Sequence, residues 1–182
     1  MIISKKTITL RNWKTCTLSS PQEEDALSLL EELRQTSLET NNMGRYAEEI
    51  DMDIEKEKFL LAKQATSGKA LMISAWIEGR LIGNCGFKEV SLYEKSQHRA
   101  EFGIAVLRDY WGEGVGSALL LECISSAKKA GYEYMELEVV SDNIRAIGLY
   151  RKFGFSPYGL REKSFKLRDG SYRALSLMSL AL

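Results

Sequence analysis

The sequence of 182 residues is short of several things, and each shortage narrows what it can be. It has no charge of either sign to spare, because 25 Lys and Arg balance 25 Asp and Glu. Without a net field there is nothing global to hold a polyanion or an anionic bilayer, so neither nucleic acid nor membrane is expected as a partner. No apolar run approaches the roughly 20 residues that cross a bilayer, and Met1–Lys6 is short and charged with no apolar signal core behind it. Cysteine is scarce and odd in number. Cys16, Cys85 and Cys123 stand far apart and form no paired motif. Cys85 falls in an apolar strand run and Cys123 in an amphipathic helix, so both read as core fillers. That excludes a disulfide framework and sets the expectation of a reduced, cytoplasmic protein. No metal is expected.

What is present is ordinary globular composition, 45% hydrophobic and 27% charged, enough for one domain over residues 1–182 with 1–5 as a flexible start. Thr7–Leu10 reads as a first strand. Ser20-Pro21-Gln22-Glu23 reads as a helix start with a serine cap, followed by apolar residues at helical spacing from Ala26 to Leu33. A second helix is expected over Met52–Gln64, preceded and threaded by the acidic residues Glu48, Glu49, Asp51, Asp53, Glu55 and Glu57. Such a run could attract a cationic substrate, but it equally describes a solvated helix face. Leu71–Ile77 and Leu81–Val90 flank a Glu78-Gly79-Arg80 turn, a hairpin signature. A strand at Ala100–Val106, a helix to about Ala130, a strand at Tyr134–Val140, a helix at Ile144–Phe153 and a final hairpin complete the order.

The densest signal lies between the strand ending at Val106 and the helix starting near Gly114. Gly112, Gly114 and Gly116 let backbone N–H groups turn inward beside a positive helix end, which is a phosphate cradle. Two familiar cradles fail on spacing. A P-loop needs a lysine after its last glycine, and Gly116 is followed by Ser117-Ala118. A dinucleotide fingerprint needs a third glycine three residues after the second, where Ser117 stands.

Tyr110-Trp111-Gly112-Glu113-Gly114-Val115-Gly116-Ser117 resembles instead the acetyl-CoA motif Arg/Gln-x-x-Gly-x-Gly/Ala of the GNAT N-acetyltransferase superfamily. Asn143-Ile144-Arg145-Ala146-Ile147-Gly148-Leu149-Tyr150-Arg151-Lys152-Phe153-Gly154-Phe155 resembles the superfamily's second signature, Asn-x-x-Ala-x-x-Leu-Tyr-x-x-x-Gly-Phe. The resemblance is close over Leu71–Phe155. It implies an α/β (α+β) fold: a mixed, mostly antiparallel twisted sheet of about seven strands with helices on both faces. It further implies an acetyl-CoA-dependent transfer of an acetyl group directly to a primary amine of a small molecule, protein or peptide, by a monomer or homodimer. The different-class alternative is a non-catalytic acyl-CoA-binding or sensor domain of the same fold.

By the same resemblance the cofactor-binding residues are Ile104, Ala105, Val106, Trp111, Gly112, Glu113, Gly114, Val115, Gly116, Ser117, Asn143 and Tyr150. Tyr150 is the implied general acid for the CoA thiolate; it shares a helix face with Asn143, seven positions before it. Ile104 and Val106 would offer backbone groups to the acetyl and pantetheine amides. An amine of ordinary pKa must lose a proton before it attacks, so a base is sought. Glu101 is one candidate, His98 another, and water a third. Two departures stand out: Trp111 occupies the Arg/Gln position, and Glu113 is acidic where Lys or Arg is common.

Overall fold

Trp13 adopts a left-handed backbone (φ 64°) and turns the chain back on itself where a single first strand was expected. The computed structural model describes residues 1–182, and its first strand is two: β1 (Lys6–Thr9) and β2 (Thr15–Ser19), paired antiparallel. Then follow α1 (Ala26–Glu39), α2 (Ile54–Thr66), β3 (Leu71–Ile77), β4 (Arg80–Glu89) and β5 (Arg99–Val106). After these come α3 (Val115–Lys129), β6 (Tyr134–Val140), α4 (Ile144–Lys152), β7 (Ser156–Lys166) and β8 (Tyr172–Ala181). The sheet has eight strands in the order β1-β2-β3-β4-β5-β6-β8-β7. Only β5 and β6 run parallel, because α3 carries the chain from one to the other as a crossover.

The two helix pairs cover opposite faces. Ala26, Leu29 and Leu61 of α1 and α2 pack on Leu81, Met72 and Trp76. Val115, Leu119, Leu120 and Cys123 of α3 and Tyr150 of α4 join Ile73, Cys85, Phe102 and Met135 in the main core. A bulge opposite Ala75/Trp76 inserts Ile82 into β4 and shifts its alternation. Beyond it Asn84 meets α1 while Cys85 lies under α3, its thiol 3.5 Å from the Leu119 carbonyl. All three cysteines are buried and unpaired.

The start of α1 differs from expectation. Ser20 does not cap it; its hydroxyl accepts from Ile3 N (3.0 Å) and donates to Met72 O (3.1 Å), which ties the segment before β1 to β3. A 3-10 turn leads into α1 instead: Gln22 caps that turn, its N–H donating to Asp25 (2.8 Å), and Asp25 is the N-cap of α1 without a side-chain cap bond. The stretch 1–5, expected to be flexible, is held further by Met1 N on the carbonyls of Gln64 and Ala70, both 2.9 Å. No helix is long and apolar enough to cross a membrane.

Candidate active site

Parallel strands β5 and β6 hold together for three rungs, Arg99–Tyr134, Ala100–Met135 and Glu101–Glu136, and then part. β5 nevertheless continues to Val106 and β6 to Val140. Leu107 N donates to Ile82 O, so by alternation Ala105 and Gly103 direct their peptide groups toward β4, and Ile104 and Val106 direct theirs into the opening. Neither of these has a ladder partner on the β6 side. Of the three expected backbone contacts, Ile104 and Val106 therefore face the gap. Ala105 does not, its peptide groups being turned to β4.

The glycine turn sits at the far end of this opening. Gly112 (φ 85°) and Gly114 (φ 99°) both take left-handed conformations that a side chain would strain, and Gly114 is the N-cap of α3. A Cβ at Gly112 would meet no atom within 4 Å, so the mouth of the cradle is open. At Gly116 a Cβ would come 3.3 Å from Leu149 and 3.9 Å from Ile104, so this glycine lets α3, α4 and β5 meet closely. The β1–β2 turn braces the cradle from outside. Arg11 N donates to Glu113 O (3.0 Å) and the Arg11 guanidinium to Gly112 O (3.2 Å). With the carbonyls tied outward, the N–H groups are left for an anion.

Trp111 does two things that its place in the motif did not announce. Its indole N–H donates to Val106 O at 2.7 Å, which occupies one backbone acceptor of the opening. Its ring carries two guanidiniums, Arg145 at 4.6 Å and Arg108 at 5.6 Å from the centroid. The positive charge absent at position 111 is thus supplied beside it.

Asn143 and Tyr150 stand on α4 as expected. Asn143 Oδ1 caps the helix by accepting from Ala146 N (3.2 Å), which leaves its amide N–H₂ unpartnered. Tyr150 is buried edge-on against Phe102, centroids 6.3 Å apart, and its hydroxyl has no partner within the protein. Burial, with Cys85 adding to it, pushes the phenol well above its ordinary range, so it stays protonated.

The base candidates fare differently. Glu101 sits at the last rung before the strands part, half-exposed, and pairs across the sheet with Lys88 at 3.3 Å. His98 lies at the opposite end of β5, edge-on to Tyr134, and its carbonyl accepts from Glu133 and Tyr134. Five residues of extended strand separate it from Ile104, on the order of 20 Å. The site does not include it.

The acidic run does not gather into a field. Glu48 pairs with Arg168, Asp51 with Lys56 (2.9 Å) and Glu55 with Lys58 (2.7 Å), while Asp53 caps α2 through Lys56 N. A cavity of about 520 Å³ opens instead between the end of α1 and the start of α4, lined in part by Glu39, Arg108, Asn143, Arg145 and Arg173. A second, of about 260 Å³, lies between the loop after α1 and residues 164–167 of β7. Arg145 and Arg173 went unmarked in the sequence because nothing local distinguishes them from other surface arginines. Glu32 and Asn84 also went unmarked. The one available signal was that Glu32 falls on the same side of α1 as Leu29 and Thr36, where a carboxylate is out of place.

A sheet that parts between two parallel strands, with a glycine turn and helix start at the parting, is the architecture of acetyl-CoA-binding acetyltransferases. The chain belongs to the acetyltransferase (GNAT) family, whose model matches residues 27–155. It is 35% identical over 99 residues to the L-amino acid N-acetyltransferase AaaT of Escherichia coli K12, covering 54% of this chain and 60% of that protein. It is 38% identical over 74 residues to the ribosomal protein bS18-alanine N-acetyltransferase of the same organism, covering 41% and 50%. The chain thus spans about half of each curated relative's length. A GNAT acetyltransferase from Streptococcus pneumoniae superposes with a TM-score of 0.88 at 27% identity, over 92% of this chain and 99% of that one. A phosphinothricin acetyltransferase from Sinorhizobium meliloti, solved in complex with acetyl-CoA, superposes at 0.81 with 22% identity, covering 96% and 89%, a likeness of fold alone.

Proposed function

We propose that the protein is an acetyl-CoA-dependent N-acetyltransferase that transfers the acetyl group directly to a primary amine. The observation that carries this reading is the parted β5–β6 pair, with the Ile104 peptide group unpaired and the Val106 carbonyl held by the Trp111 indole, an open glycine cradle at one end and the unpartnered Tyr150 hydroxyl beside it. The residues fit the donor part by part. Backbone N–H groups of the 112–117 turn and the α3 start suit the pyrophosphate, with Trp111, Glu113, Val115 and Ser117 contributing main chain. The free Asn143 amide suits the pantetheine arm. The Ile104 peptide N–H suits the thioester oxygen, where a fixed donor stabilises developing negative charge.

In the transfer a nitrogen–carbon bond forms and the carbon–sulfur bond breaks. The amine loses a proton to water or to Glu101, and the departing sulfur takes one from Tyr150, whose hydroxyl proton has no other acceptor in the protein. Two observations support a small acceptor that carries its own carboxylate, as a free α-amino acid does. The larger cavity is lined by Arg108, Arg145 and Arg173, the last paired with Asp142 at 2.8 Å, and three of the six carboxylates of the acidic run, Glu48, Asp51 and Glu55, are already paired. The similarity to an amino-acid acetyltransferase points the same way. The test is thiol release from acetyl-CoA over a panel of amino acids, N-terminal peptides and polyamines. Turnover on amino acids supports the reading. Binding of acetyl-CoA without turnover on any amine would leave the non-catalytic acyl-CoA-binding domain as the function.

A further inference from the structure

α1 buries a carboxylate where an apolar side chain would serve the fold better. Glu32 is 3% exposed, one of its oxygens accepts from Asn84 Nδ2 at 2.5 Å, and the other, Oε1, is fully buried with no partner. A carboxylate accepts but cannot donate, so the amide must turn its N–H₂ to Glu32 and its oxygen away. Asn84 Oδ1 makes no hydrogen bond in the protein, and the residue is only half-buried. Its position in the sheet gives that free oxygen meaning. Asn84 stands directly across from Ala105, between the rungs that bring Cys85 to Ile104 and Gly83 to Val106. It projects to the α1 face, while Tyr150, α3 and α4 lie on the other.

We propose that Asn84, oriented by the buried carboxylate of Glu32, seats the acceptor amine on the α1 face of the parted strands. Asn84 Oδ1 accepts an amine N–H, and the Glu32 negative charge stabilises the positive charge that forms on nitrogen as it bonds to the acetyl carbon, until a proton leaves to water. Glu32 acts through Asn84 and is a positioning residue. This rests on the acetyltransferase reading and names its amine side.

The charge is tunable, since burial raises the Glu32 carboxyl to about 7, with Asn84 opposing and Glu39 on the same helix adding to the rise. Elsewhere around it, β3 presents Ser74 and β4 presents Asn84, while the ion pair on β4 and β5, Lys88 with Glu101, satisfies itself. In the turn before α2, Glu49 holds Tyr46 N and Glu48 holds Arg168; on α2, burial raises the Glu57 carboxyl, with Arg45 and Lys56 opposing.

The experiment measures kcat and KM for the best amine of the panel against pH, with acetyl-CoA affinity by calorimetry, in wild type, Glu32→Gln and Asn84→Ala. Glu32→Gln keeps the hydrogen bond and removes the charge. Its kcat/KM for the amine is expected to fall about tenfold, the scale of one charge acting across several ångströms of protein interior. The wild-type rise in rate through pH 7 flattens in this variant, and acetyl-CoA affinity stays within about twofold. Asn84→Ala reproduces the loss at all pH values and reports even if Glu32→Gln does not fold. Amine kinetics unchanged in the folded variants would overturn the inference alone. A wild type that binds acetyl-CoA and acetylates no amine would overturn the transferase reading and this inference with it.

Discussion

Tyr150 shows how far a single side chain's setting decides its chemistry. A phenol is protonated near neutrality in any setting; what the fold adds at Tyr150 is a ring fixed edge-on to Phe102 and a hydroxyl with no partner in the protein, while burial raises its pKa and makes it a weaker acid. Tyr150→Phe is expected to lower kcat about 100-fold, the low end for a general acid, with acetyl-CoA affinity unchanged in a binding titration. Unchanged turnover would remove it from the reaction. Glu32 makes the complementary case, because its raised carboxyl is a stability statement as well. The native state holds the proton between the ordinary value of 4.5 and about 7, so the stabilising neutral form is fully present below pH 4.5 and is lost as pH rises through 7. At pH 8 the fold therefore carries a penalty on the order of 3 kcal/mol that Glu32→Gln relieves. Urea midpoints should show the variant more stable than wild type at pH 8 and equal to it near pH 4. A carboxylate kept at such a cost fits a working role better than a packing one.

At the scale of elements, the cradle is built by parts from across the chain. Its φ values demand glycine at 112 and 114, and its carbonyls are held by Arg11 from the β1–β2 turn, outside the matched family region. Gly114→Ala forces a Cβ into a left-handed cap and should cost about 1 kcal/mol of stability, read from the urea midpoint, and weaken acetyl-CoA binding with it. Trp111 departs from the motif's usual base and is offset on α4 by Arg145, which stacks on its ring. Arg145→Ala is expected to weaken acetyl-CoA binding severalfold and to flatten its dependence on salt, since a screened cation has been removed. A salt dependence unchanged in the variant would show that Arg145 carries no phosphate. Both signatures were legible because they are local, each needing only a turn and a helix to be read. The arginine was not, because stacking across elements has no spacing in sequence.

The whole molecule has no net charge, and three of the six carboxylates of its acidic run pair with Lys56, Lys58 and Arg168. No long-range field remains to steer a polycation, so the rate with a neutral or zwitterionic amine should hold nearly constant through a salt titration. A rate falling severalfold as salt rises would restore the cationic acceptor that the run of carboxylates first suggested. Glu48 meets Arg168 from 120 positions away, a contact that residue order does not display.

The amino-acid sequence by itself determined the element order from the β3–β4 hairpin onward, the glycine turn, and the Asn143–Tyr150 face of α4. Each follows from periodicity, backbone freedom or helical spacing, all properties of neighbouring residues. It did not reveal the reversal at Trp13, a left-handed non-glycine residue that only the pairing of β1 with β2 supports. Three things were decided by tertiary structure alone: the point where β5 leaves β6, the charge around Trp111, and the Glu32–Asn84 pair. Each depends on which distant segments are pressed together, and only there does burial turn an ordinary glutamate into a poised one.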